Sequence, residues 1–80
     1  MKFVYILQSI AHPDQYYTGS TDDFDERLKT HNAGKSPHTA KYLPWKPVVV
    51  VYFADPQRAV EFERYLKTGS GRAFALKHFR

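Results

Sequence analysis

The sequence contains no cysteine, which excludes disulfides and thiolate metal sites alike. It also lacks any run approaching the ~18 apolar residues that a membrane-spanning helix requires. The start, Met1-Lys2-Phe3-Val4, has no extended apolar stretch followed by a cleavage site, so a cytoplasmic, reduced setting is expected rather than secretion. Acidic residues are the minority, eight against twelve Lys and Arg, for a net charge of +4 and a pI near 9.5. An excess of that sign favours polyanionic partners, although the same charge also serves solubility alone. What the chain has in abundance is aromatic side chains, six Tyr and six Phe. They suit a small mixed core and equally suit contacts with bases or sugars. Eighty residues are expected to form one domain, 1–80, near the lower limit of what folds without staples.

Residues 3 to 8 place apolar side chains on both faces, which predicts a strand covered on both sides. Ala11 to Gln15 has turn chemistry, and Tyr16 to Ser20 resumes a strand that Gly19 ends, giving an antiparallel hairpin. Thr21 or Asp22 is expected to cap a helix with Asp22, Asp23, Asp25 and Glu26 in its first turn; it ends near Ala33 with Gly34 behind it. A basic, proline-punctuated loop follows, from Lys35 to Pro44, long enough to suggest a functional segment. Val48 to Phe53 reads as a second strand buried on both faces. Asp55-Pro56 starts a helix expected to run to Thr68. A last short helix should pack back through Ala73, Leu76 and Phe79. The expected architecture is α+β, a small three-stranded, mostly antiparallel sheet flanked by helices in the order β-β-α-β-α-α.

Several polar residues fall on the apolar stripes of these helices. A step of 100° per residue groups Phe24, Arg27, Leu28 and His31. A guanidinium facing a sheet requires a carboxylate or a phosphate, or must snorkel at the stripe's edge. His31 reads either as a satisfied core histidine or as part of a site. In the second helix Ala59, Phe62, Glu63 and Leu66 share a stripe, with Glu61 opposite. Glu63 is then either the ion-pair partner of Arg27 or a ligand for a hard divalent cation. Tyr5 and Tyr17, on adjacent strands, can face the same helix.

The fragments Phe3-Val4-Tyr5, Tyr17-Thr18-Gly19, Asp25 to Asn32, Glu63 to Lys67 and Ser70 to Phe74 together resemble the GIY-YIG nuclease superfamily, in particular its small standalone members. Phe3 stands where the first signature has glycine, and Thr18 where the second has isoleucine. The resemblance spans nearly the whole chain and implies hydrolysis of DNA phosphodiester bonds, with a structure-selective role in repair or recombination. It implies Tyr5, Tyr17, Arg27, His31 and Glu63 as catalytic residues. Glu63 would hold Mg²⁺ or Mn²⁺, Arg27 would neutralise phosphoryl charge, and Tyr5, assisted by His31 or Tyr17, would activate water. An unperturbed phenol near pKa 10 is a poor base at neutral pH, so a nearby cation must lower it or His31 must carry the proton. Lys35, His38, Lys41 and Tyr42, with Trp45, are the candidates for contact with a DNA strand. DNA is the expected partner, with no membrane, no small-molecule cofactor, and a monomer or weak homodimer. No appended DNA-binding module is expected. The rival reading is a non-catalytic nucleic-acid-binding module on the same fold. A third is a structural protein in which Arg27 and Glu63 simply pair.

Overall fold

The computed structural model describes residues 2–80. Three strands, β1 (Lys2–Ser9), β2 (Tyr16–Thr21) and β3 (Trp45–Phe53), form an antiparallel sheet in the order β2-β1-β3. Helix α1 (Phe24–Asn32) lies between β2 and β3 in the chain, and α2 (Pro56–Leu66) and α3 (Gly69–His78) follow. The expected α+β order is the one observed, with a short 3₁₀ turn at Ala40–Tyr42 added in the loop.

Central β1 has four consecutive buried residues because both of its faces are covered. Val4 and Ile6 pack with Ala59, Leu66 and Ala75 from α2 and α3. Tyr5 and Leu7 pack on the other side with Trp45 and with Phe24 and Leu28 of α1. Burying each large aliphatic side chain contributes about 1.5–3 kcal/mol, so β1 is the strand around which both layers are organised. Its partner β3 is an edge strand, contrary to the expectation of two buried faces. Val50 and Tyr52 remain exposed there, and a continuous β-branched run looks alike at the centre and at the edge. Between Ile6–Val49 and Leu7–Pro47 the register shifts by one residue. Proline has no N–H to offer the ladder, and edge bulges are where strands accommodate it.

Gly19 does not end β2. It sits within the strand opposite Tyr5, and β2 continues to Thr21, so neither Thr21 nor Asp22 is the helix cap. Asp23 takes that role, its side chain accepting from Glu26 N at 3.1 Å, while Thr21 Oγ1 accepts from Asp23 N. Gly34, at φ 75°, closes α1 as expected. Asp55 caps α2 by accepting from Gln57 N at 2.9 Å. That helix stops at Leu66 instead of Thr68 because Thr68 turns to cap α3, accepting from Gly71 N. Gly71 packs against the Tyr65 carbonyl where a Cβ has no room. This junction sets the phase of α3: Gly71 and Ala75 are buried and Phe74 and Phe79 half-buried, whereas Ala73 and Leu76 face outward, Leu76 at 65% exposure. The inward face expected for this helix holds only at Phe79.

Candidate functional site

Strand alternation decides which side chains can meet. Tyr17 pairs with Leu7 and Gly19 with Tyr5, so Tyr5 and Tyr17 project toward α1. There the rings of Tyr5 and Tyr17 lie 6.3 Å apart, and His31 stands 4.9 Å from Tyr17 and 6.0 Å from Tyr5, centroid to centroid. The absence of a side chain at Gly19 makes this possible. A Cβ there would sit 2.7 Å from the Tyr5 hydroxyl and 2.9 Å from Tyr17 Cε2.

His31 is wholly buried, with both ring nitrogens engaged. Nε2 lies 2.9 Å from the Tyr5 hydroxyl and Nδ1 2.8 Å from Thr39 Oγ1. With Thr39 Oγ1 directed at the Ser36 carbonyl, 3.4 Å away, the network is satisfied by the tautomer in which Nδ1–H donates to Thr39 and bare Nε2 accepts from the Tyr5 O–H. Burial, with the Arg27 charge second, holds the imidazole below its ordinary pKa of 6.5. It is therefore a neutral acceptor at pH 7.

Arg27 is half-buried beside both phenols. Among the described residues no carboxylate lies within ion-pairing distance of it. Its interaction with the Tyr5 hydroxyl, and more weakly with that of Tyr17, raises its pKa and outweighs the desolvation that lowers it. Burial in turn raises Tyr5 above 10.0. Arg27 opposes the shift without cancelling it, and the charges of Tyr17 and Glu63 reinforce it. The cation therefore does not turn Tyr5 into a ready base, and the neutral His31 is the stronger proton acceptor of the pair. Exposure separates the phenols as well: Tyr5 is 1% exposed, whereas Tyr17 is only partly covered.

Glu63 arrives from the other side of the sheet. Its helix packs over Val4 and Ile6, and its carboxylate meets the edge of β2, where Ser20 Oγ donates to Oε1 at 2.5 Å. Lys67 Nζ donates to Oε2 at 2.9 Å. The Arg27–Glu63 ion pair, one of the two alternatives for this carboxylate, is not formed. Glu63 nevertheless lies near enough for its charge to act on Tyr5. Burial pushes its carboxyl up, but the hydrogen bonds from Ser20 and Lys67 and the charges of Lys67 and Lys2 more than offset this. It stays ionised below its ordinary range.

No group of three His, Asp or Glu able to cage a metal occurs among the described residues. A lone ionised, part-exposed carboxylate still fits a hard cation that retains its waters and draws its other ligands from substrate oxygens, the mode common for Mg²⁺. Lys67 is the group such an ion would displace.

Of the residues expected to contact DNA, Lys35, His38 and Lys41 are exposed. Tyr42 is half-buried, its ring 5.3 Å from that of His12 and 6.4 Å from that of Trp45. Trp45 is not free for stacking: it is 4% exposed and its Nε1 donates to the Thr39 carbonyl. The loop is instead clamped into the body. Asn32 bonds both backbone groups of Trp45, and Ser9 Oγ donates to the Tyr42 carbonyl at 2.7 Å. This clamping presents Thr39 to His31. Thr39, Ser20 and Lys67 are the neighbours that sequence reasoning missed. Only Lys67, one helical turn after Glu63, left a signal in the sequence.

The fold is similar to that of the UPF0213 protein from Bacillus halodurans, solved in solution by NMR. The match has a TM-score of 0.57 and 28% identity, over 96% of this chain and 84% of that one. The GIY-YIG catalytic domain model matches residues 1–76, and the chain belongs to that family. A UPF0213 protein of Staphylococcus haemolyticus is 39% identical over 72 residues, 85% of this chain and 82% of its own. The structure-specific endonuclease subunit SLX1 of Scheffersomyces stipitis is 42% identical over 67 residues, 75% of this chain. The chain spans 20% of the length of that relative.

Proposed function

We propose that residues 1–80 form a catalytic domain of a DNA endonuclease that hydrolyses phosphodiester bonds with the help of a divalent cation. The observation that carries this reading is Arg27, a part-buried guanidinium without a carboxylate partner, held against two phenols. Part of its hydration is lost with no protein counterion to offset it, and a phosphate is the ligand that would do so. Family membership and the similarity to a structure-specific endonuclease subunit favour a scissile phosphate in branched DNA, hence a part in repair or recombination.

In this reading Arg27 holds the phosphoryl oxygens and neutralises the charge that builds on them. Tyr17, the accessible phenol, orients the attacking water. The water's proton passes to the Tyr5 oxygen as Tyr5 gives its own to His31 Nε2, and Thr39 keeps the imidazole in the accepting tautomer. Glu63 would hold Mg²⁺ or Mn²⁺, which when bound supplies Lewis-acid stabilisation of the leaving 3′ oxygen. Lys35, His38 and Lys41 line the loop beside this face and are proposed to lend charge to strand binding, with Tyr42 as support. The domain acts as a monomer or weak homodimer, in the cytoplasm.

The test is cleavage of labelled flap and branched DNA in Mg²⁺ or Mn²⁺. The wild type cuts, whereas Glu63→Gln and Arg27→Ala, folded by circular dichroism, cut at least about 100-fold more slowly. DNA binding without cleavage under all these conditions would replace the enzyme with the non-catalytic binding module.

A further inference from the structure

A cleft of about 630 Å³ lies between the β2 edge and α3, on the face opposite the Tyr5 cluster. Its walls carry three cations, Lys67, Arg72 and Arg80, against one acid, Asp14. Neither Arg72 nor Arg80 has an ion-pair partner among the described residues. The Arg80 guanidinium carbon sits over the Tyr16 ring, 3.8 Å from its centroid, a cation–π contact that limits where the side chain can go before any ligand arrives. Two wall residues connect the cleft to the site already described: Tyr17, which also faces His31, and Lys67, which holds Glu63.

We propose that this cleft holds the sugar-phosphate backbone of one nucleic-acid strand on its way to the scissile bond, with Arg72 and Arg80 each taking a phosphate. The inference rests on the endonuclease reading and gives that site its strand path. Phosphate oxygens match the planar fork of arginine, and the +4 chain supplies the field that draws them in. Lys67 stands at the junction, where an arriving phosphate competes with Glu63 for its ammonium and leaves the carboxylate open to a cation.

The test measures fluorescence anisotropy of a labelled 20-nucleotide single strand with Glu63→Gln protein, in which cutting does not compete, at several salt concentrations. Adding Arg72→Gln and Arg80→Gln should weaken binding about tenfold at low salt and reduce the salt slope by roughly 1.4, two phosphates at ~0.7 each. The charge-matched control, Lys46→Gln with Arg58→Gln on other surfaces, should change both by much less. Tyr16→Leu, which removes the ring beneath Arg80, should reproduce part of the loss. Equal effects of the two charge pairs would overturn the strand path while leaving the nuclease reading intact, provided that the wild type still cuts. A wild type that neither binds nor cuts DNA would overturn both.

Discussion

The two faces of the sheet are built on different terms. Toward α2 and α3 the core is Val4, Ile6, Ala59, Leu66 and Ala75, and apolar burial accounts for it. Toward α1 the same strand meets a chain of polar groups, Thr39 to His31 to Tyr5, with Arg27 at its edge. An all-apolar filling would hold that face without the desolvation cost of an imidazole, two phenols and a guanidinium. The apolar core stabilises the domain, and the polar face, joined at the β2 edge by Glu63 from the opposite layer, carries the proposed chemistry.

Substitutions should therefore separate activity from stability by face. The largest effect expected is on cleavage: Arg27→Ala should lower the single-turnover rate by about 10²–10³ with little change in thermal midpoint. On the other face Ile6→Ala should cost about 2–5 kcal/mol of unfolding free energy, read by urea denaturation, far more than Arg27→Ala does. Gly19→Ala links the two, because its methyl has no space beneath Tyr5. A loss of about 1–3 kcal/mol is expected, together with reduced cleavage.

Acid should distinguish the faces more gently. His31 has a folded-state pKa below 6.5, so the unfolded chain binds its proton first and stability falls as pH drops from 6.5 toward that lower value. Glu63, depressed below 4.5, adds a second loss as pH falls through its own folded value. Denaturation across pH 4.5 to 7.5 should show the first slope in the wild type and its disappearance in His31→Gln. The smallest effect is at the surface: Lys35→Ala with Lys41→Ala should shift stability by less than about 0.5 kcal/mol.

The parts of this arrangement that were legible in the sequence are those set by local periodicity. The spacing of Arg27 and His31 with Phe24 and Leu28 put them on one stripe, and Asp55-Pro56 marked the start of α2. What depended on long-range packing was not legible. An apolar run cannot announce whether it will lie at the centre or, like β3, at the edge of a sheet. Glu63 was readable as an inward acid, but its partner Ser20 lies 43 residues away, and alternation along β2 places that serine on the face opposite Tyr17. The inward face of α3 followed from the Gly71 contact with the end of α2, a tertiary constraint. Thr39 was hidden in a loop whose position depends on Asn32 and Trp45.

The central claim is that Arg27, on the α1 face, and Glu63, reaching the β2 edge from the opposite layer, act on one phosphate. Single-turnover cleavage of branched DNA by wild type, Arg27→Ala, Glu63→Gln and the double variant measures this directly. Groups acting as a unit lose most of their effect together, so the double variant should be scarcely slower than the slower single one. Losses that multiply as for independent sites, or a Glu63→Gln protein that cuts at the wild-type rate, would contradict the account.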